Sequence, residues 1–224
     1  MGKKFFEEIE LFLFDMDGLL FDTETIYVGY GREVAKKMGY TITKDIVEKT
    51  TGVTDDKARI LFKESLGQEF PYDEMMGTVK DHILELAKKS EVPLKPGALE
   101  LLEFLRENNK EMILATSSNL FMAEALINGK DLKKYFSHFV TAEDVVHGKP
   151  DPEVFLIGAK KAGVSPEKTA VFEDSFNGIR AAHAAGTFPI MVPDKLKPTE
   201  EIEKLVYKKF NSLVEVLDYF KGND

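Results

Sequence analysis

Asp15 and Asp17 stand two residues apart at the end of a short apolar run, Leu11–Phe14. Thr116, Ser117, Ser118 and Asn119 follow a second run at 112–115, and Lys149 lies in the loop after a weaker run at 138–141. Glu173 and Asp174 follow a fourth run at 170–172. Carboxylates brought together repel unless a cation sits among them. A set of oxygen donors without nitrogen suits Mg²⁺, which takes octahedral oxygen ligands and keeps some of its waters. A carboxylate free to attack a phosphoryl group also opens a covalent route through an aspartyl-phosphate. The chain has no cysteine, which excludes disulfides, thiolate zinc and a cysteine nucleophile. His82, His138, His147 and His183 have no metal-ligand spacing with one another, so they read as surface or core residues.

Those side chains meet only if the elements carrying them lie side by side. The runs at 11–14, 112–115, 138–141, 170–172 and 188–192 alternate with patterns of period near 3.6, which predicts strands alternating with helices. Leu101, Leu102 and Leu105 follow the entry signal Pro96-Gly97. Pro152 stands where a first helical position is expected, before Phe155 and Ala159, and Gly163 closes that helix. Ile179, Ala182 and His183 follow Ser175, with Gly186 as the stop. Strand then helix, repeated, predicts a parallel sheet covered on both faces. In such sheets ligands bind outside the carboxyl ends of the strands, where the chemistry-bearing residues lie.

One stretch departs from the alternation. Between residue 23 and residue 92 no strand is predicted. Ile26, Tyr30, Val34 and Met38 recur every four residues up to Gly39. Ile60, Leu61 and Leu66, closed by Gly67, predict a second helix, and Met76, Val79, Ile83 and Leu86 a third. The stretch reads as a helical insertion leaving just after the first strand.

Composition bounds the partners. A chain of 224 residues makes one to two domains and buries a core without staples. With 43% hydrophobic and 31% charged residues it is of ordinary globular composition. The net charge of −9 argues against nucleic acid as the main partner. Acidic residues interrupt the N-terminal stretch before a signal-peptide core forms, Phe6 breaks the myristoylation pattern, and no apolar run approaches a membrane span of roughly 20 residues. A cytoplasmic protein without membrane attachment, monomeric by default, is the expectation.

The stretch Asp15-Met-Asp17-Gly18-Leu-Leu-Phe-Asp22-Thr23 resembles the DxDGxxxDT signature of the haloacid dehalogenase superfamily. Thr116, Lys149 in Gly148-Lys149-Pro150, and Glu173-Asp174 in Phe172-Glu173-Asp174-Ser175 resemble its second, third and fourth motifs, in order and at family-like spacing. The insertion is similar to the helical cap of the β-phosphoglucomutase-like branch, and Met191-Val-Pro-Asp194 is similar to the pseudouridine-5′-phosphatase group. The resemblance implies an α/β fold: a Rossmann-like parallel-sheet core at 1–22 and 93–224, with a small all-helical cap at 23–92. It implies a Mg²⁺-dependent phosphatase acting on a small phosphorylated metabolite, a sugar phosphate or a nucleoside monophosphate. Asp15 would be the nucleophile and Asp17 the general acid, then base. Thr116, Ser117, Asn119 and Lys149 would hold the phosphoryl group. Asp15, Asp17 (by its main-chain carbonyl), Asp174 and Glu173 would hold the metal. Phosphoryl transfer asks mainly for positioning and charge stabilisation, which this set provides.

Plainer readings stand beside these. Asp22 and Thr23 read as caps of the first insertion helix, Ser117 and Ser118 as caps of the helix after them, and Ser175 as a cap in place of a ligand. Asn177 would shape the metal loop, and the Met75-Met76 pair would pack. Within the family, Asp17 argues against dehalogenation. A β-phosphoglucomutase-like phosphomutase must hold a second phosphate, yet Asn119, Thr51 and Asp55 stand where basic residues are expected. A phosphatase is the reading, a phosphomutase the alternative, and a silent phospho-ligand binder ranks below both. Tyr27, Thr51, Gly52 and Val53 are the expected specificity positions, with hinges near 21–24 and 92–96.

Overall fold

The computed structural model describes residues 2–222. Met1, Asn223 and Asp224, which the expected core limits include, lie outside the described residues. The elements run, in order, α1 (Gly2–Glu8), β1 (Leu11–Phe14), α2 (Thr23–Lys37), α3 (Lys44–Thr50), α4 (Asp55–Leu66), α5 (Tyr72–Lys88), α6 (Ala98–Glu107), β2 (Glu111–Ala115), α7 (Leu120–Gly129), β3 (His138–Val140), α8 (Glu153–Ala162), β4 (Thr169–Glu173), α9 (Phe176–Ala184), β5 (Phe188–Met191), α10 (Glu200–Leu205), β6 (Lys208–Lys209) and α11 (Leu213–Lys221). The six strands form one all-parallel sheet in the order β3-β2-β1-β4-β5-β6.

β1 lies at the middle of that order, and its four residues are all fully buried. Its side chains alternate between faces, as period-2 geometry requires. Phe12 and Phe14 join the larger hydrophobic cluster, while Leu11 and Leu13 join the second with Val154, Phe155 and Ala159 of α8. A central parallel strand therefore reads as an unbroken apolar run. The five predicted strands are present. The sixth, β6, pairs Lys208 with Ile190 and Lys209 with Met191; two lysines on an edge strand carry no hydrophobic signal.

The stretch between β1 and α6 holds four helices. On α5 the buried face is Tyr72, Met75, Val79, Ile83 and Ala87. Two corrections belong here, one of phase and one of an unpredicted helix. Ile60, expected on the apolar face of α4, is 57% exposed, and Ala58 and Phe62 are buried instead. α3 lacks a sequence period altogether; it rests on Thr43, whose hydroxyl accepts from Ile46 N. A third correction is small: Pro152 sits at the N-cap of α8, its carbonyl accepting from Phe155 N and Leu156 N, so the helix starts at Glu153.

The two chain passages between insertion and sheet pair with each other. Asp22 N donates to Pro93 O at 2.9 Å, Lys95 N donates to Leu20 O at 2.8 Å, and Phe21 bridges Leu94 in antiparallel sense. This pairing places the insertion over the carboxyl end of β1. Among the described residues no helix is long and apolar enough to cross a membrane.

Candidate active site

The acids and hydroxyls at the floor of the site follow strand ends. Asp15 is the residue after β1, and its N–H donates to Phe172 O of β4 at 3.1 Å, prolonging the sheet by one rung. The chain then turns tightly: Gly18 N donates to Phe21 O at 2.9 Å, with Gly18 at φ +81°. Two constraints require glycine there. The conformation is left-handed, and a Cβ would lie 2.3 Å from Asp174 Oδ2. The turn thus brings the loop after β1 against the loop after β4.

Lys149 reaches this point from the loop before α8. Its side chain is only 6% exposed, and Nζ donates to Asp15 Oδ1 at 2.5 Å, Glu173 Oε1 at 2.6 Å and Ala115 O at 3.1 Å. Glu173 is completely buried. Its other oxygen, Oε2, accepts from Asp174 N, Ser175 N and Ser175 Oγ at 3.1, 3.0 and 2.9 Å. Glu173 therefore locks the loop that carries Asp174 and orients Lys149. Gly178 leaves the necessary room, since a Cβ there would fall 1.9 Å from the Glu173 carboxylate. Ser175 caps α9 through its hydroxyl, which accepts from Gly178 N at 3.0 Å.

Asp17 is clamped from two sides. Thr23 Oγ1 donates to its Oδ1 at 2.8 Å, and Ser118 Oγ donates to its Oδ2 at 2.7 Å. Thr23 and Ser118, expected as helix caps, serve instead as its hydrogen-bond donors. A second correction concerns Asn119, expected at the phosphoryl group. Its Oδ1 accepts from Met122 N at 2.8 Å, so it caps α7, and it does not line the cavity. Asp22, expected as a cap of α2, occupies the N-cap position but makes no cap hydrogen bond; its Oδ1 accepts from Thr25 Oγ1 at 2.8 Å.

Asp15, Asp17, Thr116, Ser117, Lys149 and Asp174 line one cavity of ≈ 420 Å³ between sheet edge and insertion. Thr116 is buried at the end of β2, its N–H donating to Val140 O of β3 and its Oγ1 accepting from Ser118 N, both at 3.0 Å. Oxygens of Asp15, Glu173 and Asp174 lie within 4.8 Å of one another, and no other acidic or histidine group of this kind occurs among the described residues. Three buried or half-buried carboxylates with one lysine are short of counter-charge. That donor set fits a hard divalent cation. The Asp17 side chain is not in the group, both of its oxygens being held by hydroxyls.

Burial governs the ionisation. It pushes the Asp15 carboxyl up to about 7, against the pull of Lys149. Asp17 is raised by burial, opposed by the Ser118 and Thr23 hydrogen bonds. Asp174 is raised well above its ordinary value by burial and by the Glu173 and Asp15 charges. For Lys149 burial favours the neutral amine, but Asp15 and Glu173 outweigh it and hold the ammonium charged.

Two acids in the cavity were given no role from the sequence, Asp194 only as part of the Met191-Val-Pro-Asp194 stretch and Glu24 not at all. Glu24, in the first turn of α2, is raised to about 7 by burial and by the Asp17 and Asp194 charges. Asp194 follows β5, with Oδ1 accepting from Lys95 Nζ at 2.8 Å and Oδ2 buried without a partner. The rule applied to the other strand ends, carried to the fifth, would have found Asp194. Glu24 had no such signal. From the insertion, Thr51, Gly52 and Val53 line the same cavity, and Asn177 Nδ2 donates to Gly52 O at 3.4 Å. Tyr27 lines the adjoining cavity in the insertion.

The geometry has known counterparts. Residues 9–186 match the model of the haloacid dehalogenase-like hydrolases. A phosphorylated carbohydrates phosphatase of Thermotoga maritima is 35% identical over 182 residues, covering 80% of this chain and 82% of that one. A candidate pseudouridine-5′-phosphatase of Drosophila melanogaster is 34% identical over 200 residues, covering 87% and 86%. The crystal structure of a candidate beta-phosphoglucomutase from Thermotoga maritima superposes with a TM-score of 0.77 at 31% identity, covering 96% of this chain and 99% of that one. With its sheet order, acid cluster and buried lysine described above, this chain belongs to the haloacid dehalogenase-like hydrolases and is an enzyme of the phosphatase class.

Proposed function

We propose that the protein hydrolyses a small phosphorylated metabolite, a sugar phosphate or a nucleoside monophosphate, through an aspartyl-phosphate on Asp15, with Mg²⁺ as cofactor. The observation that carries this reading is the Lys149 ammonium held between Asp15 and Glu173, beside an Asp17 carboxyl fixed by two hydroxyls. Asp15 Oδ1 is held by Lys149, and its carboxylate attacks phosphorus. As the ester P–O bond breaks, protonated Asp17 gives its proton to the leaving oxygen. Asp17 then takes a proton from a water that attacks the aspartyl-phosphate, releasing phosphate and restoring Asp15. Its raised pKa suits both duties. Thr116 and Ser117 hydrogen-bond the equatorial oxygens, and Lys149 neutralises their charge.

Asp15, Asp174 and the Asp17 main-chain carbonyl would hold the metal, with Glu173 behind them; when bound, it supplies positive charge to the phosphoryl oxygens and to the crowded carboxylates. The insertion would act as the cap, moving on the paired passages at 21–24 and 92–96 to admit substrate and exclude bulk water.

The test is phosphate release from a panel of sugar phosphates, nucleotides and phosphorylated acids, with Mg²⁺ and with EDTA. Metal-dependent release that Asp15→Asn abolishes is the expected result. Isomerisation of a sugar phosphate without net phosphate release would turn the reading to a phosphomutase. Full activity in Asp15→Asn would overturn the covalent route.

A further inference from the structure

A second cavity of ≈ 280 Å³ opens inside the insertion and shares Glu24, Thr51, Gly52, Val53 and Asp55 with the first. This shared rim joins the cavity at Asp15 to the inner one. Beyond the rim the walls are apolar and aromatic: Val28, Ile42, Val47, Phe62, Met75 and Tyr27. The charge on the rim is negative. Glu24 and Asp55 are its ionisable groups, and the Glu24 carboxyl has no hydrogen-bond partner among the described residues. Most other polar side chains there are already engaged. Thr50 and Thr51 donate to Ile46 O and Val47 O, each at 2.8 Å, and the Tyr72 hydroxyl donates to Asp55 Oδ1 at 2.9 Å.

The nearby cations are engaged as well. Arg59 donates to Asp73, Asp56 and Asp55 and lines neither cavity. Lys149 is held by Asp15 and Glu173. Lys195 donates to Thr25 Oγ1 at 3.0 Å and lies 3.5 Å from Asp194. Only Lys80, exposed on α5, lines the inner cavity as an unengaged cation among the described residues.

Resting on the phosphatase reading above, we propose that this rim selects the charge of the leaving group: it takes a neutral polyhydroxyl group, with Glu24 accepting from a substrate hydroxyl, and rejects a second anion. Two physical reasons support it. A carboxylate acceptor makes a charge-assisted hydrogen bond to a hydroxyl. The same carboxylate beside a second phosphate or a carboxyl group is a like charge in a partly desolvated site, which discriminates by repulsion.

The experiment measures kcat/KM at about pH 8.5, above the Glu24 value of about 7 so that its carboxylate is ionised, for the full chain with Mg²⁺ on sorbitol 6-phosphate, fructose 1,6-bisphosphate, phosphoglycolate and para-nitrophenyl phosphate. Sorbitol 6-phosphate should exceed fructose 1,6-bisphosphate and phosphoglycolate, the two substrates with a second anionic group, by about 100-fold or more. Glu24→Gln should shrink that ratio to about 10-fold or less, a readout that a general loss of activity does not move. Val53→Lys, which adds a cation at the rim, should shrink it from the other side by raising turnover of the bisphosphate. Comparable kcat/KM on fructose 1,6-bisphosphate would overturn the proposal, all the more if Lys80→Met removed that activity. An unchanged ratio in Glu24→Gln would overturn the role of Glu24. Hydrolysis of para-nitrophenyl phosphate alongside a ratio near one separates failure of this proposal from failure of the phosphatase reading, which would show as no hydrolysis of any of the four.

Discussion

Asp17 illustrates how a single residue is made ready. It sits two positions after β1, its two oxygens taken by Thr23 from the insertion and by Ser118 from the loop after β2. Each hydroxyl limits how far the carboxyl can swing. Thr23→Val or Ser118→Ala should each lower kcat about 10-fold and change KM less, read from steady-state kinetics, because positioning of an acid is worth most in the transition state. Asp15→Asn should lower kcat by at least about 10³-fold with an unchanged circular-dichroism spectrum, since it removes the nucleophile and no core atom. Glu24 gives a pH prediction. Its carboxyl is raised from 4.5 to about 7, by burial first and then by Asp17 and Asp194. The folded state thus binds this proton more tightly than the unfolded chain does. Its contribution to stability is complete below about pH 4.5 and is lost as pH rises through about 7, on the order of 3 kcal/mol at full ionisation. Metal-free wild-type protein should therefore lose several degrees of Tm between pH 5 and pH 8 that Glu24→Gln keeps, measured by thermal melts of both.

At the scale of elements, the site depends on loops that interlock. The loop after β1 can approach the loop after β4 because residue 18 is glycine, and the first turn of α9 can pass Glu173 because residue 178 is glycine. Gly178 is in a helix, where alanine ordinarily stabilises by up to about 1 kcal/mol. Here the order should invert. Gly178→Ala must displace the Glu173 carboxylate, whose oxygens serve Lys149 and three donors of its own loop. We expect a loss of about 2 kcal/mol or more in urea unfolding, with activity falling in step, because the lost contacts belong to a buried charged network. The passages between insertion and sheet form a second interlocked pair, where Asp22 N and Lys95 N bond across to Pro93 O and Leu20 O.

For the whole molecule, the carboxyl edge of the sheet and the helical stretch after β1 line one negatively charged cavity. Asp15, Asp17, Glu24, Asp174 and Asp194 all line it, against Lys149 and Lys195. A divalent cation bound among Asp15 and Asp174 should relieve this crowding only in the folded state. Millimolar Mg²⁺ should raise the Tm at pH 8 by several degrees, EDTA should reverse it, and Asp174→Asn should abolish the rise, read by differential scanning fluorimetry. Equal melting with and without Mg²⁺ would speak against a resident metal.

What the sequence determined by itself was the frame and its strand ends. Apolar runs marked β1, β2, β4 and β5 because strands buried on both faces leave little room for polar residues, while the edge strand β3, with His138 exposed, gave a weaker run; the residues after those runs included Asp15, Asp17, Thr116, Lys149, Glu173 and Asp174. β6 and α3 left no such trace, the one being a two-lysine edge and the other a short, largely exposed helix set by a cap. The division of labour among the polar groups was decided in three dimensions. Thr23, Ser118 and Asn119 are all short hydrogen-bonding side chains beside helix starts, and no local pattern tells a cap from a site residue, so the sequence reading assigned the two roles the wrong way round. Only the crossing of the loops after β1 and β2 turns Thr23 and Ser118 toward Asp17 and leaves Asn119 to cap α7. The same holds for Glu24 and Asp194, distant in sequence yet close enough in the fold for the Asp194 charge to raise Glu24 and for both charges to raise Asp174. Covalent spacing fixes which residues a strand end presents; which of them share a partner depends on distances between loops that no local pattern encodes.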